Sequence, residues 1–128
     1  MEMTVLRQSI CRYMDALQFP ADAQQGLLAG FDRIAESGEA TQWLLQTVAD
    51  YTACCTLHFT PLHEELARIC DAVQLHPYTG KMLFYLSLAE PLHAHYRARG
   101  LSDQLFWHTL QDLSYKLEEC RLIHGVAP

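Results

Sequence analysis

Met82-Leu83-Phe84-Tyr85-Leu86-Ser87-Leu88-Ala89 decides the fold. A helix that is apolar nearly all round has no face to give to water. The stretch therefore predicts a central helix enclosed by others. It is far too short to cross a bilayer, which takes roughly 20 apolar residues. Pro91 follows at once. It lacks a backbone N–H and its ring crowds the preceding turn, so it predicts a kink or a split in this helix.

Working upstream, apolar residues recur at intervals of three and four, which is helical spacing. Val5, Leu6, Ile10, Tyr13, Met14 and Leu17 form one stripe, ended by Phe19-Pro20. Leu27, Leu28, Phe31, Ile34 and Ala35 form a second. Gly26 and Gly30 lie inside it. Each costs roughly 1 kcal/mol relative to Ala unless it admits a neighbouring helix. After Ser37-Gly38 a third helix runs through Trp43, Leu44, Val48, Tyr51 and Cys55. Thr60 is expected to cap a fourth, with Pro61 at its first position and Glu64 and Glu65 in its first turn. Leu62, Leu66, Ile69 and Val73 give that helix its buried face. His76-Pro77-Tyr78 closes it, and Thr79 is expected to cap the central helix.

Downstream, Gly100 is placed as a left-handed stop and Ser102 as a cap. A sixth helix is read from Asp103 to His124, with the stripe Phe106, Leu110, Leu113, Leu117, Cys120 and His124. The reading is all-α: a single compact bundle of about six helices over residues 1–128, with a central apolar helix kinked by Pro91.

Half of the 128 residues are hydrophobic and 19% are charged, the profile of a chain with a core to bury. The formal net charge is −6, with nine Lys and Arg spread along the chain. Nucleic-acid backbones are neutralised by clustered cations, so they are not expected partners. No signal-peptide pattern opens the chain, and no membrane partner is expected. Five cysteines, an odd number without framework spacing, point to a reduced, cytoplasmic setting.

Several motifs come close to chemistry and fail. His63-Glu64-Glu65-Leu66-Ala67 lacks the second His that a zinc-protease helix needs four residues on. Tyr78-Thr79-Gly80-Lys81 lacks the earlier Gly and the following Ser or Thr of a phosphate-binding loop. Cys54 and His58 are four apart, as are Cys120 and His124, and converging pairs would suit zinc. The competing reading packs such cysteines as small hydrophobes, and no metal ligand is assigned. His93 and His95, two apart, point to different sides of their helix. The aromatic set Phe84, Tyr85, Tyr96, Phe106, Trp107 and Tyr115 reads as core, with a ligand groove as the alternative. No residue is assigned a catalytic or cofactor-binding role.

Tyr96-Arg97-Ala98-Arg99-Gly100-Leu101-Ser102, then Thr109-Leu110-Gln111-Asp112-Leu113, then His124-Gly125, resembles a bacterial acyltransferase-like family. Its members join an all-helical N-terminal domain to a C-terminal GNAT-like N-acetyltransferase domain. The resemblance implies that this chain is the helical part of a longer cytoplasmic protein, with no turnover of its own. It implies a C-terminal acyltransferase-like domain as partner, to which the helical part contributes docking, a lid or an acceptor-side wall. Acyl-CoA would then be the cofactor of the full-length protein, with none held by this chain. The candidate interface residues are Arg97, Arg99, Trp107, Asp112 and His124, because Arg and Trp anchor buried protein contacts. Arg97 and Arg99 also favour a helix C-terminus electrostatically without any partner. The rival reading is a free-standing helical module that binds a protein or a ligand.

Overall fold

The computed structural model describes residues 1–54, 59–113 and 115. Regular structure among them is helical throughout: α1 (Met3–Ala16), α2 (Ala21–Ala35), α3 (Gly38–Cys54), α4 (Phe59–Ala72), α5 (Pro77–Ser87), α6 (Ala89–Ala98) and α7 (Asp103–Leu110). Helices α5 and α6 are the two arms of one helix bent at Leu88, so the described residues make six helices. The all-α reading holds. The stretch from 111 adds helical residues at 112, 113 and 115. Leu117, Cys120 and His124 lie outside the described residues, as do Cys55 and His58.

Helix α5 is the centre. Met82, Leu83, Phe84, Leu86 and Ser87 are buried, as are Leu88 and Ala89 beyond it, and Tyr85 is half-buried. Helices α1, α2, α4 and α6 pack around it. Two glycines let neighbours come close. A Cβ on Gly80 would overlap Cys70 Sγ on α4, so only hydrogen fits at that crossing. A Cβ on Gly30 would stand 2.8 Å from Thr79 Cγ2 and 3.0 Å from Leu75 Cδ1. Both distances are shorter than carbon–carbon contact allows. The intrinsic helix cost of these glycines is offset by the packing they permit.

The bend falls three residues before Pro91. Pro91 cannot donate to the Ser87 carbonyl, and its ring crowds it. Ser87 Oγ donates back to Leu83 C=O at 2.6 Å, a bond that also bends helices. Leu88 N–H turns to Tyr85 C=O at 3.1 Å, tightening the joint.

Helix ends account for the other corrections. Helix α4 starts at Phe59, so Thr60 and Pro61 lie inside it and Glu64 and Glu65 fall past its first turn. The cap of α5 is His76, whose Nδ1 accepts from Tyr78 N–H at 3.2 Å. Thr79 is instead buried against Gly30. Val5 is 51% exposed and leaves the α1 stripe. Ala35 is exposed, and Leu28, Leu62 and Val73 are half-buried at the margin of the core.

Three helices close through the same six-to-one turn with a left-handed residue. Gly100 serves α6 as expected, at φ +71°. Gln18 and Gln74 serve α1 and α4, at φ +59° and +57°. There Phe19 N–H reaches Met14 C=O at 3.0 Å and Leu75 N–H reaches Cys70 C=O at 2.8 Å. Each turn buries the apolar residue after the glutamine, Phe19 or Leu75. Gln24 donates to Phe19 C=O and Arg33 to Gln74 C=O, which pins both turns.

Replacing Gly80 with Ala forces one methyl into Cys70. We expect a loss of about 1–3 kcal/mol of unfolding free energy in urea titration, the usual range for overpacking a close-packed core. A stability within 0.5 kcal/mol of the parent chain would contradict the tight crossing of α4 and α5.

Candidate functional site

Beyond the bend, α6 carries Glu90, His93 and Arg97 on one face, at helical spacing of three and four. That face meets α1 and the start of α7. Ser102 Oγ accepts from Leu105 N–H at 3.1 Å and so sets the start of α7, which brings Asp103, Phe106 and Trp107 to the same place.

The result is a continuous polar chain across three helices. Arg12 pairs with Glu90. Tyr13 Oη donates to Glu90 Oε2 at 2.8 Å and lies 3.2 Å from His93 Nδ1. His93 Nε2 lies 3.0 Å from Asp103 Oδ1, and Arg97 Nε lies 3.8 Å from the same oxygen. His93 is only 5% exposed. Its ring stacks on Phe106 with centroids 4.0 Å apart and planes 4° from parallel, and Trp107 meets it edge-on at 5.8 Å.

Counting protons constrains this chain. Tyr13 has one phenolic proton, and it is donated in the hydrogen bond to Glu90. The Tyr13 oxygen can then only accept from Nδ1–H. Asp103 as a carboxylate also only accepts, here from Nε2–H. All three bonds form together only when both ring nitrogens carry a proton, and a neutral ring keeps two of them. Burial, reinforced by the bond to Glu90, pushes the Tyr13 phenol up to about 12, so it stays a donor at ordinary pH. The hydrogen bond from His93, with the charges of His93 and Arg97 behind it, holds the Asp103 carboxyl below its usual range.

Arg12, Tyr13, Ala16, Glu90, His93, Arg97 and Trp107 line a cleft of about 390 Å³ above this chain. A wider hollow of about 760 Å³ lies between α3 and α4. Several of its polar groups are already engaged: Glu39 pairs with Arg68 at 2.7 Å, Trp43 Nε1 donates to Glu65, and Gln46 donates to Asp50.

Of the interface candidates, Arg97 and Trp107 come together in the smaller cleft. Arg99 is exposed at the end of α6 and Asp112 is exposed beyond α7, both away from the cleft lining. His124 lies outside the described residues. Exposed Leu101 (40%) and Leu105 (44%) flank the same turn. Tyr96 Oη and Thr109 Oγ1 are 3.3 Å apart, and Tyr96 C=O closes the turn by accepting from Leu101 N–H. These motif residues therefore build the corner between α6 and α7.

The sequence places Tyr13 on the α1 core stripe, and nothing in its spacing joins it to Glu90, His93 and Asp103. The legible signal was the shared face of positions 90, 93 and 97. His93 and His95 do point apart: His95 Nε2 lies 3.1 Å from Tyr51 C=O on α3. Of the paired Cys and His positions, His58, Cys120 and His124 lie outside the described residues. Among those described, no group of three potential metal ligands forms. Cys70 is buried, and burial pushes its thiol up, as a structural cysteine requires. No described helix is long and apolar enough to cross a membrane.

Residues 8–127 match the family model described as "N-acyltransferase N-terminal domain". The match contains the 96–125 stretch that carries the resemblance. No curated protein and no solved structure matches the chain.

A carboxyl held low in the fold stabilises it fully above the ordinary carboxylate range, and that contribution is lost as pH falls through the depressed value. Asp103→Asn removes it. Urea midpoints measured from pH 6 to pH 2 should fall less steeply in the variant below about pH 4. Equal slopes would show that the bond from His93 to Asp103 carries no linkage.

Proposed function

The chain belongs to the N-acyltransferase N-terminal domain family, and from that premise we propose that it docks on an acyl-CoA-dependent catalytic domain of the same protein. In this reading the catalytic domain is GNAT-like and performs acyl transfer to an amine. Such a fold holds the acyl-CoA pyrophosphate on backbone amides at a strand–helix junction. It grips the pantetheine arm between splayed strands. The described residues of this chain are helical, so those tasks fall to the partner domain.

One observation carries the docking reading. At the corner between α6 and α7, Leu101, Leu105, Arg97 and Arg99 are all exposed and Trp107 is half-buried. Large aliphatic groups bared beside Arg and Trp have the chemistry of an interface core with its anchors. The corner is also rigid. It is held by the Tyr96–Thr109 contact, the left-handed Gly100 and the Ser102 cap. A rigid surface loses little entropy on association.

The test is a binding measurement between the helical chain and the catalytic domain, with single substitutions at the corner. Leu105→Asp and Arg99→Ala should each weaken binding about tenfold or more, equivalent to about 1.4 kcal/mol. Unfolding midpoints should stay put, because both side chains are exposed. Unchanged affinity in both variants would sink the docking role. So would full catalytic activity from the catalytic domain without the helical one.

A further inference from the structure

The cleft between α1, α6 and α7 holds two side chains whose N–H groups find no acceptor within hydrogen-bond distance among the described residues. Arg97 makes no hydrogen bond to a described residue, and its nearest carboxylate is Asp103 at 3.8 Å. Trp107 Nε1–H also has no acceptor among the described residues. Both residues line the cleft. Arg12, the other cation there, is already paired with Glu90.

A volume of about 390 Å³ falls in the range of small-ligand pockets. Its floor is set before any ligand arrives, because His93 has a partner within hydrogen-bond distance of each ring nitrogen and stacks on Phe106. The guanidinium of Arg97 offers a planar fork of N–H donors that matches a carboxylate. Glu90 and Asp103 stand close by, so a dianion such as phosphate meets two negative charges where a monoanion meets less repulsion. Trp107, Tyr13 and Ala16 supply apolar surface to the cleft lining. We propose that this cleft binds a small monocarboxylate with a flat apolar body, its carboxylate on Arg97 and its ring against Trp107. The site lies within this chain and does not depend on docking, so its test uses the chain alone.

The chain has two tryptophans, and Trp43→Phe leaves Trp107 as the sole reporter. Benzoate, benzamide and inorganic phosphate serve as probes. Benzoate should change the Trp107 fluorescence saturably, with a Kd on the order of 1 mM. Arg97→Ala should weaken it about tenfold or more. Arg97→Lys, which keeps the charge without the fork, should fall between. The thermal midpoint should move little, since Arg97 is exposed and its ion pair with Asp103 is long and solvated. Three results would overturn the proposal: benzamide binding as well as benzoate, phosphate binding better than benzoate, or Arg97→Ala binding as the parent does. An absent signal would overturn it too. If Trp43→Phe perturbs the fold, amide shifts of residues 93–107 in the parent chain during the same titrations read the same outcomes.

Discussion

The whole bundle depends on enclosing α5. From Met82 onward its residues have almost no side to present to water, so stability requires neighbours on every flank there. Close approach decides how well that works. Gly80 lets α4 bring Cys70 to the α5 backbone, and Gly30 lets α2 take Thr79, Leu75 and Leu83. Dispersion contacts are individually tiny and fall away within an ångström, so these two bare backbones matter beyond their size. The bend at Leu88 then turns the same helix outwards. Without it α6 would continue along the axis of α5, and its polar face would not meet α1 and α7.

That polar face explains a buried imidazole in an otherwise greasy domain. A polar group out of water is costly unless its hydrogen bonds are made. His93 has partners at both nitrogens, drawn from α1 and α7, and an aromatic ring on its face. It therefore joins three helices at one point and fixes how the α6–α7 corner sits on the body. Tyr13 contributes because burial keeps its phenol protonated and able to donate. The corner and the cleft, the two features argued to meet other molecules, both take their shape from this joint.

Much of the fold was legible because its signals are local. Helical spacing marked the core faces of α1, α2 and α4, the all-round apolar run marked α5, and Gly100 with Ser102 marked the corner correctly. Where the reading went astray, tertiary structure had overruled local preference. Gln18 and Gln74 occupy left-handed positions that favour glycine, because the turns bury Phe19 and Leu75 and other helices hold their carbonyls. Thr79 looks like a cap but is wanted as packing against Gly30, and His76 takes the cap instead. Pro91 announced a bend but not its position, because the missing donor is felt at Ser87, one turn earlier. The candidate site was the least legible part. Tyr13 lies 80 residues from His93, and His93 and Asp103 sit on different helices, so only the folded corner brings the three together.

Native-state hydrogen exchange tests the central claim most directly. If enclosure of α5 organises the bundle, amides of residues 82–87 should exchange only through global unfolding, with opening free energies equal to the total stability. Amides of α3 and α7, which lie further from that helix, should open more cheaply. Exchange of residues 82–87 through local openings, at free energies below those of α3 or α7, would contradict the account.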